Sequence, residues 1–164
     1  MIVCVYRKCL RRLALVSALL ALCLGLLGAP GPARAKELIN QSFGGIAIQG
    51  YDPVAYFTDG QAVKGSDEFA YEWLGAIWHF ASAEHRDLFA ADPVEYAPQY
   101  GGYCANAMAD GAAATAGPKD WRIVDGKLYL FVAQDGQLEW ANNAPEKIKK
   151  ADVQWELLKG DLAE

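Results

Sequence analysis

The segment Phe69–Phe80 (FAYEWLGAIWHF) constrains the fold of this chain more than any other feature. Aromatic side chains occupy every second position of its first arm, and a Leu74-Gly75 pair separates the two arms. Alternation with period two is typical of a half-buried strand, and a short glycine-containing pair between two such arms favours a tight turn. We therefore predict a β-hairpin here. The second arm buries either Ile77 with His79 or Trp78 with Phe80.

A second hairpin is predicted around Asp125-Gly126, a pair that favours two-residue hairpin turns. Its arms are Trp121–Val124 and Lys127–Val132. Short helices are predicted where capping residues and prolines bound apolar runs, with Ser82 as the clearest N-cap. The predicted helices span 53–57, 83–91, 103–109, 134–142 and 145–158, with a short turn at 93–97, a strand at 44–49 and an edge pairing at 62–65.

These elements predict an α+β fold: a small single domain in which β-hairpins form an antiparallel sheet covered by several short helices. Leu88 and Phe89 are expected to face the core from the helix after Ser82. The last helix is expected to bury an apolar face made of Ile148, Ala151, Val153, Trp155 and Leu158. No internal repeat is evident after residue 36.

The N-terminal residues 1–35 have the pattern of a secretory signal peptide. They carry five cations and no acid, and Leu13–Leu27 is an uncharged apolar run that is short for a membrane span. Small residues at Ala33 and Ala35 predict cleavage after Ala35, so the exported chain would be 36–164 and would be periplasmic or secreted. An uncleaved anchor is the alternative, and Arg11-Arg12 leaves both the general and the twin-arginine export routes open.

Charge excludes some partners for residues 36–164. The chain has 15 Lys and Arg, five of which precede residue 36, against 20 Asp and Glu, so the remainder carries a net charge of −10. A nucleic-acid binder needs a basic face, so no nucleic-acid partner is expected. The same charge disfavours docking on anionic lipid, and no stable membrane insertion is expected after cleavage. No protein partner can be named from the sequence.

Cysteine usage leaves one thiol in the exported chain. Cys4, Cys9 and Cys23 all precede residue 36, so Cys104 has no partner for an internal disulfide. A lone thiol in an oxidising compartment is either buried and inert or kept for its chemistry.

Three motifs resemble those of YHS-domain proteins. That family carries Asp-Pro-Val-Cys near its start, then Tyr-His-Phe-Cys-Ser with a further Cys three residues later, and an Asn/Asp-Pro-x-x-Tyr ending. The chain is similar at Asp52–Val54, at Trp78–Ser82 and at Asp92–Tyr96, and residues 50–97 carry the match. Residues 100–105 and 123–129 look like the exported subgroup of small YHS proteins.

The resemblance implies a metal-handling role, because YHS cysteines are presumed to bind metal. The chain departs from the pattern at these positions. Ala55 and Ala81 stand where the first two cysteines would be, and His85 stands at the third. The cluster of soft thiolate ligands is therefore absent from this chain.

The residues themselves offer a smaller set of metal ligands. Copper and zinc need thiolate or imidazole ligands in close geometry, and the exported chain offers Cys104, His79 and His85. If these three converged they would form a His₂Cys site for a copper or zinc ion. The alternative is that Cys104 is a small core residue, His79 a sheet residue and His85 a surface residue.

Two further segments are candidates for contacts to a small ligand or cofactor. Tyr51-Asp52 before Pro53 is either a pocket element or a turn cap. Gly101 and Gly102, followed by Tyr103, either leave backbone N–H groups available to an anion or permit close packing. No catalytic residue is assigned.

Three hypotheses of function follow. The first is a non-enzymatic exported binding module of the YHS type that holds a copper-like transition metal. The second is a structural or interaction domain that kept the fold and lost its metal ligands. The third is a thiol enzyme or redox protein in which Cys104 works with His79 or His85 as base and Asp52 as the orienting group.

Overall fold

The computed structural model describes residues Leu38 to Leu162, and the predicted signal peptide with its cleavage site lies outside this range. The strands are β1 Gln41–Ser42, β2 Ile46–Ala47, β3 Ser66–Trp73, β4 Ala76–Phe80, β5 Gly117–Val124 and β6 Lys127–Phe131. The helices are α1 Ala55–Thr58, α2 Ala83–Ala91, α3 Pro93–Tyr96, α4 Ala105–Ala109, α5 Gln134–Asn142 and α6 Ala144–Leu162.

The hairpin predicted at Phe69–Phe80 is confirmed as the antiparallel pair β3–β4. Its turn residues Leu74 and Gly75 both adopt positive φ, 49° and 71°, the geometry that matches the twist of the two strands. Trp78 and Phe80 are fully buried, whereas Ile77 is 38% exposed. The structure therefore selects the Trp78 and Phe80 face.

The first sheet contains four strands in the order β1-β2-β4-β3. β2 joins β4 in parallel through the single pair Ile46 and Ile77, while the other pairs are antiparallel. The predicted strand at 44–49 is shorter than expected. It ends at Ala47 because Ile48–Gly50 forms a left-handed turn with φ values of 39°, 56° and 72°. The expected edge pairing appears as a bridge between Tyr51 and Lys64.

The second sheet is the hairpin β5–β6 around Asp125-Gly126, as predicted. It is a separate two-stranded sheet rather than an extension of the first. Together the two hairpins and the helices confirm the predicted α+β class.

The helix boundaries follow their caps. The Ser82 side chain accepts a hydrogen bond from His85 N at 3.2 Å and begins α2, and the Asp92 side chain accepts one from Glu95 N at 3.2 Å and begins α3. α4 begins at Ala105 rather than at residue 103, because Tyr103 and Cys104 form β-bridges instead.

Two residues predicted to lie in the core are exposed. Phe89 is fully buried, but its neighbour Leu88 is 38% exposed because the two residues lie on different faces of α2. On α6, Ala151 is fully buried while Val153 is 55% exposed.

No helix among residues 38–162 is both long and apolar enough to cross a membrane.

Candidate functional site: a buried carboxylate and an oriented imidazole

The Asp52 carboxylate organises the start of α1. Its side chain is completely buried. Oδ1 accepts hydrogen bonds from the backbone N–H groups of Val54 at 2.8 Å and Ala55 at 3.3 Å. These are among the N–H groups that a helix start leaves without partners, so the carboxylate caps α1 from three residues before its first residue.

The second oxygen of Asp52 reaches the other half of the site. Oδ2 accepts a hydrogen bond from Ala81 N at 2.8 Å and lies 2.7 Å from His85 Nδ1. One carboxylate therefore connects the start of α1, the residue after β4 and the first turn of α2. A buried carboxylate is costly unless its oxygens are satisfied, and here both are.

The carboxylate also fixes the chemistry of the His85 ring. Because a carboxylate can only accept, Nδ1 carries the hydrogen that faces Asp52, and in the neutral ring Nε2 then carries the lone pair. The His85 side chain is 15% exposed, so the ring reaches the surface. Such an imidazole can serve as a proton acceptor or as a ligand to a metal ion.

Thr58 Oγ1 lies 3.4 Å from His85 Nε2. The same hydroxyl lies 2.8 Å from Asp59 Oδ1 and 3.2 Å from Val54 O. A hydroxyl has one hydrogen to donate, and the Asp59 carboxylate is its closest acceptor. Thr58 was missed by sequence reasoning, because a threonine at the end of a short helix has no distinguishing spacing.

His79 occupies a different environment. It is half-buried on β4, and its Nδ1 lies 3.3 Å from the point where a side-chain Cβ on Gly50 would be. Lys64 Nζ lies the same distance from that point, and it also donates to the carbonyl of Gln49. His79 thus lies beside Gly50, whereas the His85 ring contacts Asp52 and Thr58.

Cys104 is a core residue by its surroundings. It is 4% exposed, its N–H donates to Ala114 O at 2.8 Å, and it forms a bridge with Leu130 on β6. Among residues 38–162, no group of three or more His, Cys, Asp and Glu side chains could hold a metal ion. The structure therefore does not assemble Cys104, His79 and His85 into one ligand set.

The double glycine is used for close packing. Asn40 N donates to Gly101 O at 2.8 Å, and Asn40 Nδ2 donates to Gly102 O at 3.0 Å. A Cβ on Gly101 would overlap the carbonyl oxygen of Leu38, and one on Gly102 would lie 2.7 Å from Ile48 Cγ2. These contacts support the packing alternative over an anion site.

Tyr51 and Tyr103, the two tyrosines among the candidate ligand contacts, have similar positions in the chain. Tyr51 is half-buried, and the Lys64 ammonium stands 5.0 Å from the centre of its ring. Tyr103 forms a β-bridge with Thr115. Both residues follow left-handed turns and begin the segment that leads into a short helix.

An open groove of about 340 Å³ lies beside Tyr100 and Gly101, with Trp73 and Trp155 in its lining. Two of its polar groups already have partners: the Tyr100 hydroxyl donates to Asp152 Oδ1 at 2.9 Å, and Lys159 Nζ lies 2.8 Å from Glu156 Oε1. A ligand site needs convergent polar groups that fix orientation. The Asp52–His85 pair is therefore the better candidate.

Comparison of the chain with models of protein families, with curated proteins and with solved structures finds no match.

Proposed function

We propose that this protein is an exported, non-enzymatic binding module of the YHS type, in which His85 is the group that contacts the ligand. The observation that carries the proposal is the 2.7 Å contact between His85 Nδ1 and the buried Asp52 Oδ2. It holds an imidazole near the surface with its second nitrogen directed away from the protein's own acceptor.

The positions of the departures from the YHS pattern support this proposal. Ala55, Ala81 and His85 stand where that family carries cysteines. All three bond to the same carboxylate, the first two through their backbone N–H groups and the third through its ring. Ala55 lies 26 residues before Ala81 in the sequence, and its convergence with Ala81 and His85 on Asp52 is what a former ligand cluster would leave behind.

A copper-like or zinc ion is the ligand class that an imidazole nitrogen with an available lone pair suits best. Metal-ligating histidines commonly donate their other ring nitrogen to a carboxylate, as His85 does to Asp52. A resident ion with three or four protein ligands does not fit the described residues. An ion bound through His85 would therefore be cargo that keeps ligands from water, a small chelator or another protein.

A second candidate is a structural or interaction domain that lost its metal ligands. The four hydrogen-bonding partners of Asp52 favour it, since they connect three elements of the fold whatever His85 does. For the thiol-dependent alternative, the burial of Cys104 removes the exposure that a reactive thiol needs.

The test is a titration of the purified protein with Cu(II) and with Zn(II), followed by the NMR signals of the imidazole rings. His85→Asn removes the ligand nitrogen, and His79→Asn is the matched control because it removes the other histidine of the described chain. We expect binding in the wild type and in His79→Asn, and loss of binding in His85→Asn. Equal behaviour of all three proteins would overturn the metal proposal and leave the interaction domain.

A further inference from the structure

One succession of elements occurs twice in the described chain. A left-handed turn leads into a tyrosine, a short helix, a bulged hairpin and a second helix. The first copy runs from Ile48 to Asp92, and the second from Tyr100 to Asn143. The sequence showed no repeat, so the correspondence has to be established from the backbone.

The turns that begin the two copies have the same backbone geometry. Residues 48–50 have φ values of 39°, 56° and 72°, and residues 100–102 have 57°, 62° and 80°. Three successive left-handed residues are rare, and non-glycine members are strained. Each turn is closed by the same hydrogen bond, from Tyr51 N to Ile48 O at 3.2 Å and from Tyr103 N to Tyr100 O at 3.1 Å.

The loop between helix and hairpin is fixed in the same way in both copies. Asp52 N donates to Val63 O at 2.9 Å. Cys104 N donates to Ala114 O at 2.8 Å. The donors are 52 positions apart and the acceptors 51, so the second copy is one residue shorter within this loop.

The hairpins share their irregularities as well as their regular pairing. In the first, the register shifts between Ser66 and Ala70, and in the second it shifts between Gly117 and Trp121. The two register shifts are separated from each other by 51 positions. The turn residues also correspond, with φ values of 49° and 71° at residues 74–75 and 49° and 74° at residues 125–126. Bulges are local features that unrelated hairpins have no reason to place identically.

The helices that follow the two hairpins begin with the same backbone geometry and pack on their hairpins in the same way. The residues before them, Ser82 and Ala133, have φ/ψ of −150°/163° and −156°/164°. In each copy two rings from the second strand of the hairpin pack on one helix ring, with centroid distances of 5.1 and 5.2 Å in the first and 5.7 and 5.6 Å in the second. The rings are Trp78, Phe80 and Phe89 in the first copy and Tyr129, Phe131 and Trp140 in the second.

From these correspondences we infer that the domain is a tandem duplication of one unit, and that Cys104 and Gly136 mark a second, emptied copy of the Asp52–His85 site. The alignment places Cys104 at the position of Asp52, and Gly136 at the position of His85. This inference does not depend on what His85 binds, because it rests on the backbone of both copies.

The surroundings of the second position agree with this assignment. Cys104 directly precedes α4, and no side chain caps that helix start, whereas Asp52 caps α1. The nearest heavy atom to a Cβ on Gly136 would be Asn106 Nδ2, 3.9 Å away at the start of α4. A side chain at position 136 would thus face the start of the preceding short helix, as His85 does in the first copy.

The duplication explains the lone thiol of the exported chain. Cys104 fills, with a small apolar side chain, the place that holds a buried carboxylate in the first copy. The second copy then serves as scaffold, and the polar site is kept in the first copy alone.

The experiment rebuilds the emptied site in the full protein with the double variant Cys104→Asp and Gly136→His. The readout is the ring-nitrogen NMR shifts of the introduced imidazole, which report where its hydrogen resides. We expect the double variant to show the Nδ1-protonated pattern of His85, and Gly136→His alone to show the mixed pattern of an imidazole without a carboxylate partner.

An introduced imidazole that gives the mixed pattern in a folded double variant would overturn the inference. Where the double variant fails to fold, an experimental structure of the wild type decides. Residues 48–92 and 100–143 are expected to superpose with one gap in the loop after the short helix, and segments that do not superpose would refute the duplication. Because neither readout involves a ligand, failure of the metal titration leaves this inference standing.

Discussion

The His85 ring lies against a carboxylate that has no contact with solvent: Nδ1 is 2.7 Å from Asp52 Oδ2, and the Asp52 side chain is 0% exposed. The same oxygen accepts from Ala81 N, and the other oxygen caps α1. An ionised carboxylate away from water is tolerable only when such donors surround it. The contact therefore connects elements of the fold and also orients the His85 imidazole.

Asp52→Asn tests this double role. An amide has one acceptor oxygen and an NH₂ group, so either the start of α1 or the pair formed by Ala81 N and His85 loses its acceptor. We expect a loss of about 1–3 kcal/mol in the free energy of unfolding, measured by urea titration. The His85 ring is also expected to change its tautomer pattern in NMR spectra.

Asp92→Asn is the matched control for this substitution. Asp92 also caps a helix, with Glu95 N 3.2 Å from its Oδ1, but it is exposed, and asparagine caps helices as well as aspartate does. A change within about 0.5 kcal/mol is expected. Equal losses in both variants would show that burial and the His85 contact add nothing to the role of Asp52.

Gly101→Ala is expected to be strongly destabilising. Gly101 has φ +62°, and an added Cβ would overlap the backbone carbonyl oxygen of Leu38, which cannot move aside as a flexible side chain can. Gly75→Ala provides the comparison, since Gly75 has φ +71° with no atom within 4 Å of an added Cβ. We expect about 1 kcal/mol for Gly75→Ala from backbone strain alone, and about 3 kcal/mol or more for Gly101→Ala.

Thermal and urea unfolding of these two glycine variants measure the difference. Similar losses would mean that the segment at Leu38–Asn40 does not pack on Gly101. The anion-binding alternative for the double glycine would then regain support.

Phe89→Ala and Leu88→Ala separate the two faces of α2. Phe89 is fully buried among the aromatic rings of the first hairpin, with Trp78 5.1 Å away between ring centres. Its truncation is expected to cost about 3–5 kcal/mol. Leu88 is 38% exposed, and its truncation should cost less than about 1 kcal/mol. A larger loss for Leu88→Ala in urea titrations would contradict the burial of these side chains.

The sequence was sufficient for the elements whose signals are local. Asp125-Gly126 and Leu74-Gly75 set hairpin turns by their own backbone preferences, and Ser82 and Asp92 mark helix starts by their own side chains. Burial on α2 and α6 was less predictable, because Leu88 and Val153 are as apolar as their buried neighbours. Only the direction of each side chain relative to the rest of the fold separates them.

The site required contacts that sequence spacing does not encode. Asp52 and His85 belong to different elements of the fold. The sequence positions of Cys104, His79 and His85 are compatible both with one shared metal site and with three separate locations. The duplication was invisible for a related reason. The two copies keep φ angles, a bulge and a ring cluster while most side chains differ, as Asp52 against Cys104 and Phe89 against Trp140 illustrate.

Alkaline pH should destabilise the domain through its buried tyrosines. Burial, with a smaller contribution from the nearby Asp152 carboxylate, raises the pKa of Tyr129 to about 12. The pKa of Tyr100 is also raised, by burial first and then by its hydrogen bond to Asp152. In the unfolded chain a tyrosine has its ordinary pKa of about 10.

The direction of the effect follows from these values. Below about pH 10 the phenols are neutral in both the folded and the unfolded state, so burying them contributes its full amount to the free energy of unfolding. That contribution is lost as pH rises from about 10 towards the pKa of the folded state. Within that pH window each such tyrosine lowers the free energy of unfolding by about 1.4 kcal/mol per pH unit. Urea titrations of the wild type and Tyr129→Phe, at about pH 8 and about pH 11, measure it. Tyr129→Phe should lose less stability over this interval, and an identical loss in both proteins would show that the Tyr129 hydroxyl is not buried in the folded state.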